Sequence, residues 1–172
     1  MDHNTPGPGS SHDAVDAITD QWGAVRPDLE TLPMAVFGRI YRLAAAMRGR
    51  VDKAYAPYGM GLGEFDVLAT LRRSGEPYTL SPRELSATLM ITTGGMTGRL
   101  DRLEKAGLLS RSPDPNDRRG LRVTLSERGR ELVDQAVGAG LAQQAAALDS
   151  ALTQEEAEQL AQLLRKLLAT TV

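Results

Sequence analysis

The stretch Asp114-Pro-Asn-Asp-Arg-Arg-Gly120 reads as the tip of a β-hairpin, and the segments on either side of it leave little room for another backbone path. After it, Leu121, Val123 and Leu125 alternate with Arg122 and Thr124, the period of two expected of a strand with one buried face. Leu108 to Ser112 supplies the partner strand. Pro113, Pro115 and Gly120 punctuate the turn. Asp117 stands directly before Arg118 and Arg119, so its carboxylate can brace one guanidinium while the other projects. A braced arginine on a protruding loop is suited to entering a narrow groove.

The rest of the chain is helical by its spacing. Met1 to about Ser11, rich in Gly, Pro and Ser, is expected to be a disordered tail. Val15, Ile18 and Trp22 then recur at spacings of three and four in a short amphipathic helix over Asp13 to Val25, ended by Pro27. A longer helix is predicted from Leu32 to Tyr55, and another from Glu64 to Arg73. Ser81-Pro82-Arg83-Glu84 combines a cap, a first-turn proline and a capping-box glutamate, opening a short helix to about Met90. A tight turn leads to a new cap at Thr92 or Thr93 and a helix to Lys105, with Met96, Leu100 and Leu103 inward. Two short helices joined by a brief turn make a helix-turn-helix. Within the second of them, Gly94, Gly95 and Gly98 depart from good helix composition.

Ser126 caps a long helix, and Thr153-Gln-Glu-Glu156 opens a terminal one carrying Leu160, Leu163, Leu164, Leu167 and Leu168 on one side. That stripe is too apolar to face water, and a small domain has little core left to cover it. A second subunit is the expected cover, together with the Leu32 to Tyr55 helix. The fold class is therefore mainly α with a small β-hairpin wing. Along the chain, residues 1–11 are expected to form the tail, 12–30 an extra N-terminal helix, 31–58 a dimerisation helix, 59–126 a winged helix-turn-helix lobe and 127–172 the C-terminal dimerisation helices.

Composition removes several function classes. The 172 residues include no cysteine, and the two histidines, His3 and His12, both fall near the N-terminus. Thiolate metal sites and the usual nucleophile and base constellations are thus missing, so no catalytic residue, metal or cofactor is assigned and the chain is not expected to be an enzyme. No apolar run approaches the roughly 20 residues needed to span a bilayer. The N-terminal residues lack the features of a secretion signal, so a cytoplasmic protein without a membrane partner is expected. A net charge of −2 speaks against nucleic acid only until its distribution is considered: from Arg99 to Arg130 there are nine Arg or Lys and five Asp or Glu, a local +4 against −6 elsewhere. This is a basic face on an acidic body.

The element order, together with Leu100-Asp-Arg-Leu-Glu-Lys-Ala-Gly-Leu108, Asp114-Pro-Asn-Asp-Arg-Arg-Gly120 and Val123-Thr-Leu-Ser-Glu-Arg-Gly-Arg130, resembles the MarR family of bacterial transcriptional regulators. The resemblance runs from about Leu32 to the end. It implies an obligate homodimer with interleaved terminal helices and two winged helix-turn-helix lobes, gripping double-stranded DNA at a pseudo-palindromic site. The helix from Thr92 would lie in the major groove, where Thr93 and Thr97 reach base edges and the N–H groups around Thr92, Thr93 and Gly94 meet phosphate. Arg118 or Arg119 would enter the minor groove, with Asp117 as the brace. The plainer alternatives are that Thr92 and Thr93 only cap a helix and that the wing arginines form a solvated cluster.

The segment before Leu32 is extra to a minimal fold of this kind, and it resembles a branch of the family that responds to urate and related purines. The matching residues are Gln21-Trp22, Arg26-Pro-Asp28, Glu64 to Arg73 and Met96 to Glu104. By position, the ligand set implied is Trp22, Asp66, Arg99 and Arg111. An aromatic face, guanidinium groups and a carboxylate suit a flat anionic heterocycle such as urate or xanthine. Other readings stay open: Trp22 as a hydrophobic staple, Asp66 and Arg99 as a structural ion pair, Arg111 as a phosphate contact, and an organic or phenolic acid as the inducer. A helical protein-interaction module without DNA would account for the leucine stripes but leaves the arginine wing idle.

Overall fold

A computed structural model describes residues 12–90 and 95–170. The chain divides into two compact units, Met1–Met47 and Arg48–Val172, and the division falls inside a helix.

The first unit holds α1 (Ala14–Val25) and most of α2 (Leu32–Tyr55). Asp13 starts α1 as expected of an N-terminal aspartate: its carboxylate accepts the N–H groups of Val15 at 2.7 Å and Asp16 at 3.1 Å, while Asp16 accepts the N–H of Asp13 at 2.8 Å. Arg39 of α2 then grips both carboxylates, at 3.0 Å from Asp13 and 2.6 Å from Asp16. The two helices approach closely there because position 38 is glycine; a Cβ on Gly38 would lie 3.1 Å from Val15 Cγ1. Only Val15 of α1 is buried. Ile18 and Trp22 stay more than two-fifths exposed, so the amphipathic face of α1 is mostly uncovered by its own chain.

The second unit continues α2 to Tyr55 and then runs α3 (Leu62–Arg73), β1 (Thr79–Leu80), α4 (Pro82–Thr88), α5 (Met96–Lys105), β2 (Leu109–Asp114), β3 (Asp117–Leu125), α6 (Glu127–Asp149) and α7 (Gln154–Leu168). Helix α3 is its centre. Every residue from Asp66 to Leu71 is buried, because α4, α5, α6 and β3 all pack on it. Val67, Leu68, Leu71, Leu85 and Val123 are the most deeply buried large side chains. Burial of each such side chain is worth roughly 1.5–3 kcal/mol, so this cluster fixes the small helices around α3. By contrast α7 buries no residue at all.

The expected hairpin forms, with β2 antiparallel to β3 in the register Leu109↔Leu125 and Arg111↔Val123. A third strand was not expected from the sequence. Thr79 and Leu80 pair with Thr124 and Val123 on the other side of β3, giving the order β1-β3-β2. Two residues are too few to show a period, and the pairing is recognisable only from its partner; the Thr79 and Thr124 hydroxyls meet at 2.8 Å. Two helix ends also differ. Helix α4 stops at Thr88 because Leu89 turns to an extended conformation. The helix expected to start near Thr92 begins at Met96, after Gly95 at φ 76°, a left-handed conformation that interrupts a continuous helix and that glycine adopts without strain. Thr92, Thr93 and Gly94 themselves lie outside the described residues.

Among the described residues, no helix is long and apolar enough to cross a membrane, and no group of His, Asp and Glu is arranged to hold a metal ion.

Candidate nucleic-acid interface

Helices α4 and α5 followed by the β2–β3 hairpin form a winged helix-turn-helix. Serine 81 opens α4 with a reciprocal cap, its Oγ accepting the Glu84 N–H at 3.2 Å while Glu84 Oε2 accepts the Ser81 N–H at 2.7 Å. Hydrogen bonds to its carboxylate from the Ser81 backbone N–H, and then from the Ser81 side chain, hold Glu84 below the usual carboxylate range. Helix α5 buries Leu100 and Leu103 and leaves Thr97 exposed on its first turn. Thr97, expected from the sequence to reach base edges, is thus an exposed side chain near the start of α5.

At the wing tip the ladder between β2 and β3 shifts after Pro113, so Asp114 pairs with Asp117 and the segment 118–120 bulges. Gly120 is required there, since a Cβ would come within 2.9 Å of the Asp114 Cβ and 3.0 Å of the Asp117 Cβ. Asp117 braces the turn through the backbone: its Oδ1 accepts the N–H of Arg119 at 2.9 Å. Asp114, in the same hairpin, holds the Arg122 guanidinium, whose Nε lies 2.7 Å from Asp114 Oδ2. Arg119 has an exposed side chain. The Arg118 side chain lies outside the description.

The basic segment is less free than its count suggests. Arg102 pairs with Glu64, Arg111 with Asp101 and Glu104, Arg122 with Asp114 and Glu84, and Arg130 with Glu127. Sequence counting registers charge but not these partners, which come from other elements or from a neighbouring helical turn. Among the described arginine side chains of the wing, Arg119 is the one that is exposed.

Of the four residues implied as a ligand set, Asp66, Arg99 and Arg111 belong to the second unit and Trp22 to the first. Asp66 is 3% exposed on α3 and lines a cavity of about 420 Å³ between α3 and α6, walled also by Tyr55, Phe65, Ala69, Met90 and Val137. Tyr55 and Phe65 stack at 4.2 Å with an interplanar angle of 17°. Burial, and then the negative charge of Asp66, push the Tyr55 hydroxyl above its ordinary pKa. At the rim Arg72 chelates Asp134 at 3.0 and 3.2 Å. This wall is apolar with a few convergent polar groups, the usual make-up of a small-molecule site.

Arg99 and Arg111 are not part of that wall. The guanidinium of Arg99 lies across Gly63, one helical turn before Asp66 on α3. Arg111 is turned to α5 instead, where its side chain and N–H bond Glu104 at 2.5–2.9 Å and its Nη2 lies 2.7 Å from Asp101. The Arg111 bonds hold Glu104 below the usual carboxylate range. Arg111 therefore ties strand β2 to helix α5, and a ligand would have to break two ion pairs to recruit it. Trp22 belongs to the first unit, 43% exposed.

Comparison with known proteins decides the family. Residues 58–120 match the model of the MarR family. The HTH-type transcriptional regulator PecS of Dickeya dadantii is 42% identical over 123 residues, covering 72% of this chain and 74% of PecS. This chain belongs to the MarR family. It is a DNA-binding transcriptional regulator of that family, and its relatives are named as regulators, not enzymes. Among solved structures, Sco3205 of Streptomyces coelicolor, a MarR family regulator in complex with DNA, superposes with a TM-score of 0.70 at 23% identity over 81% of this chain and 87% of that one. BpsR of Bordetella bronchiseptica, whose DNA binding is regulated by 6-hydroxynicotinic acid, gives 0.68 at 26% identity over 77% and 91%. The fold of this MarR-family chain is thus that of winged-helix regulators across its DNA-reading lobe.

Proposed function

We propose that this chain is a cytoplasmic homodimeric repressor that binds a pseudo-palindromic operator and lets go when a small anionic ligand, urate or a related purine such as xanthine, occupies the Asp66 cavity. The observation that carries the DNA half is the wing, a hairpin whose tip bulges around Gly120 and presents the exposed Arg119, together with the exposed Thr97 on the first turn of α5. Thr92, Thr93 and Gly94 complete the major-groove contact, and Arg118 shares the minor-groove role with Arg119. Dimerisation is supported by α7, where Leu160, Leu163, Leu164, Leu167 and Leu168 are 37–62% exposed in a helix that buries nothing against its own chain.

The ligand half rests on the cavity. A buried carboxylate beside a stacked aromatic pair suits a flat ring with N–H donors, and Arg99 of α5, lying against Gly63 one turn before Asp66 on α3, links that ring to the DNA-reading helix. Release then follows to the extent that ligand favours the DNA-incompetent shape. A heteroaromatic or other organic acid is the second reading, favoured by the effector named for BpsR.

The test is a titration of the purified protein on duplex DNA from upstream of its own gene, at two salt concentrations. Binding through phosphates falls steeply with salt. Urate, xanthine, citrate and 6-hydroxynicotinate are then added in turn. Release by urate or xanthine supports the purine reading, release by an acid alone supports the second, and no DNA binding at low salt sinks the regulator reading as a whole.

A further inference from the structure

Three groups from three parts of the lobe converge below the wing tip. Asp114 ends β2, Arg122 lies on β3 and Glu84 sits in the first turn of α4. The Arg122 Nε is 2.7 Å from Asp114 Oδ2, and its Nη1 is 3.6 Å from Glu84 Oε2. That Glu84 oxygen is also the one that accepts the Ser81 N–H and starts the first helix of the helix-turn-helix. Asp114 in turn uses Oδ1 to accept the N–H of Asn116 at 2.9 Å, bracing the first corner of the tip. Its side chain is only 10% exposed, and that of Arg122 32%, so the pair is shielded more than an ordinary surface bridge.

We propose that Arg122 is a positioning residue, a latch that holds the wing at a set angle to the helix-turn-helix so that its tip arginines meet the DNA. The hairpin alone does not define that angle. Above Pro113 the β2–β3 ladder shifts, and β1 pairs only as far up β3 as Val123. Beyond these pairings, the Arg122 side chain reaches from the wing to the α4 cap. Because the α4 end of the latch is itself a capping box, tilting the wing loads the start of the helix-turn-helix, and the two DNA-contacting parts of the lobe move as one. The inference rests on the wing-tip contact put forward above.

The electrostatic signs make it testable. Removing an acid near DNA strengthens binding by charge alone. Loss of a positioning contact weakens it. Asp114→Asn keeps a side-chain oxygen for the Asn116 N–H and removes the charge that holds Arg122, so weaker operator binding is expected, by about threefold to tenfold for a partly exposed pair. Arg122→Met should weaken binding by a similar factor, Arg122→Lys should restore part of it, and in an Arg118→Ala/Arg119→Ala background Arg122→Met should cost nothing further. Thermal unfolding and dimer mass of each variant show that it is folded. Asp114→Asn binding as tightly as wild type or tighter overturns the latch, as does Arg122→Met that adds its full loss to the tip variant while lowering the salt slope, the mark of a direct phosphate contact. A tip variant that binds like wild type removes the contact the latch serves and overturns both readings; a weakened tip variant beside an unaffected Asp114→Asn overturns the latch alone.

Discussion

The Arg99 guanidinium lies across the backbone of Gly63, so close that a Cβ at position 63 would stand 2.6 Å from its Nε. The glycine in α3 is thus a seat for a side chain of α5, and the two helices are coupled at the turn that also carries Asp66. Because the crowding atom is the end of a flexible side chain, Gly63→Ala should displace Arg99 without unfolding the protein. Alanine is the better helix former by about 0.5–1 kcal/mol. The expected result is an unchanged or raised melting temperature together with a weakened ligand response in the operator-release assay; an unaltered response would show that Arg99 is not the coupling residue.

Gly129 offers the opposite case. A Cβ there would meet the Leu108 carbonyl oxygen at 2.0 Å, and backbone cannot swing aside. Gly129→Ala should destabilise the lobe by about 1–3 kcal/mol, the usual cost of overpacking, read as a lower denaturant midpoint with an unchanged slope.

Arg111→Ala distinguishes a structural arginine from a ligand contact. The bonds to Glu104 and Asp101 predict a lowered melting temperature, with ligand affinity preserved. The decisive comparison is calorimetric: a stable variant that no longer binds ligand would return Arg111 to the ligand set.

Acid should loosen the wing base through Glu104. Hydrogen bonds from the Arg111 side chain, then from its N–H, hold this carboxyl below its ordinary value. For Glu64, burial pushes upward but the bonds from Arg102, its own backbone and Gly61 outweigh it. Both groups have folded values below their unfolded ones, near 4.3. Their stabilisation is present above that pH and lost as pH falls through the folded values. Unfolding free energy measured from pH 6 down to 3 should fall, and Glu104→Gln should show the shallower fall.

Leu163→Glu probes the uncovered face of α7. Leu163 is 51% exposed in the single chain, so the substitution costs the isolated fold little. Sedimentation should show a monomer with native helix content and weakened operator binding; a dimer of wild-type mass would place the subunit contact elsewhere.

Local chemistry was written in the sequence by itself. The helix bounds of α2 at Leu32–Tyr55, the caps at Ser81, Ser126 and Thr153, and the β2–β3 wing all follow from residues within a few positions of one another. Spacing, caps and turn residues act over that range, so they are legible without a fold, and the resemblance to the MarR family was legible for the same reason. Contacts between distant segments were not. Strand β1 exists because Val123 and Thr124 offer it an edge, Arg111 is engaged because α5 places Asp101 and Glu104 beside it, and Asp66 lines a cavity because α6 stands opposite. The number of arginines in the basic segment could be counted from the chain, but which of them stay outward depends on partners that only packing brings near. Tertiary structure therefore decided how charge is shared between holding the lobe together and reaching for DNA.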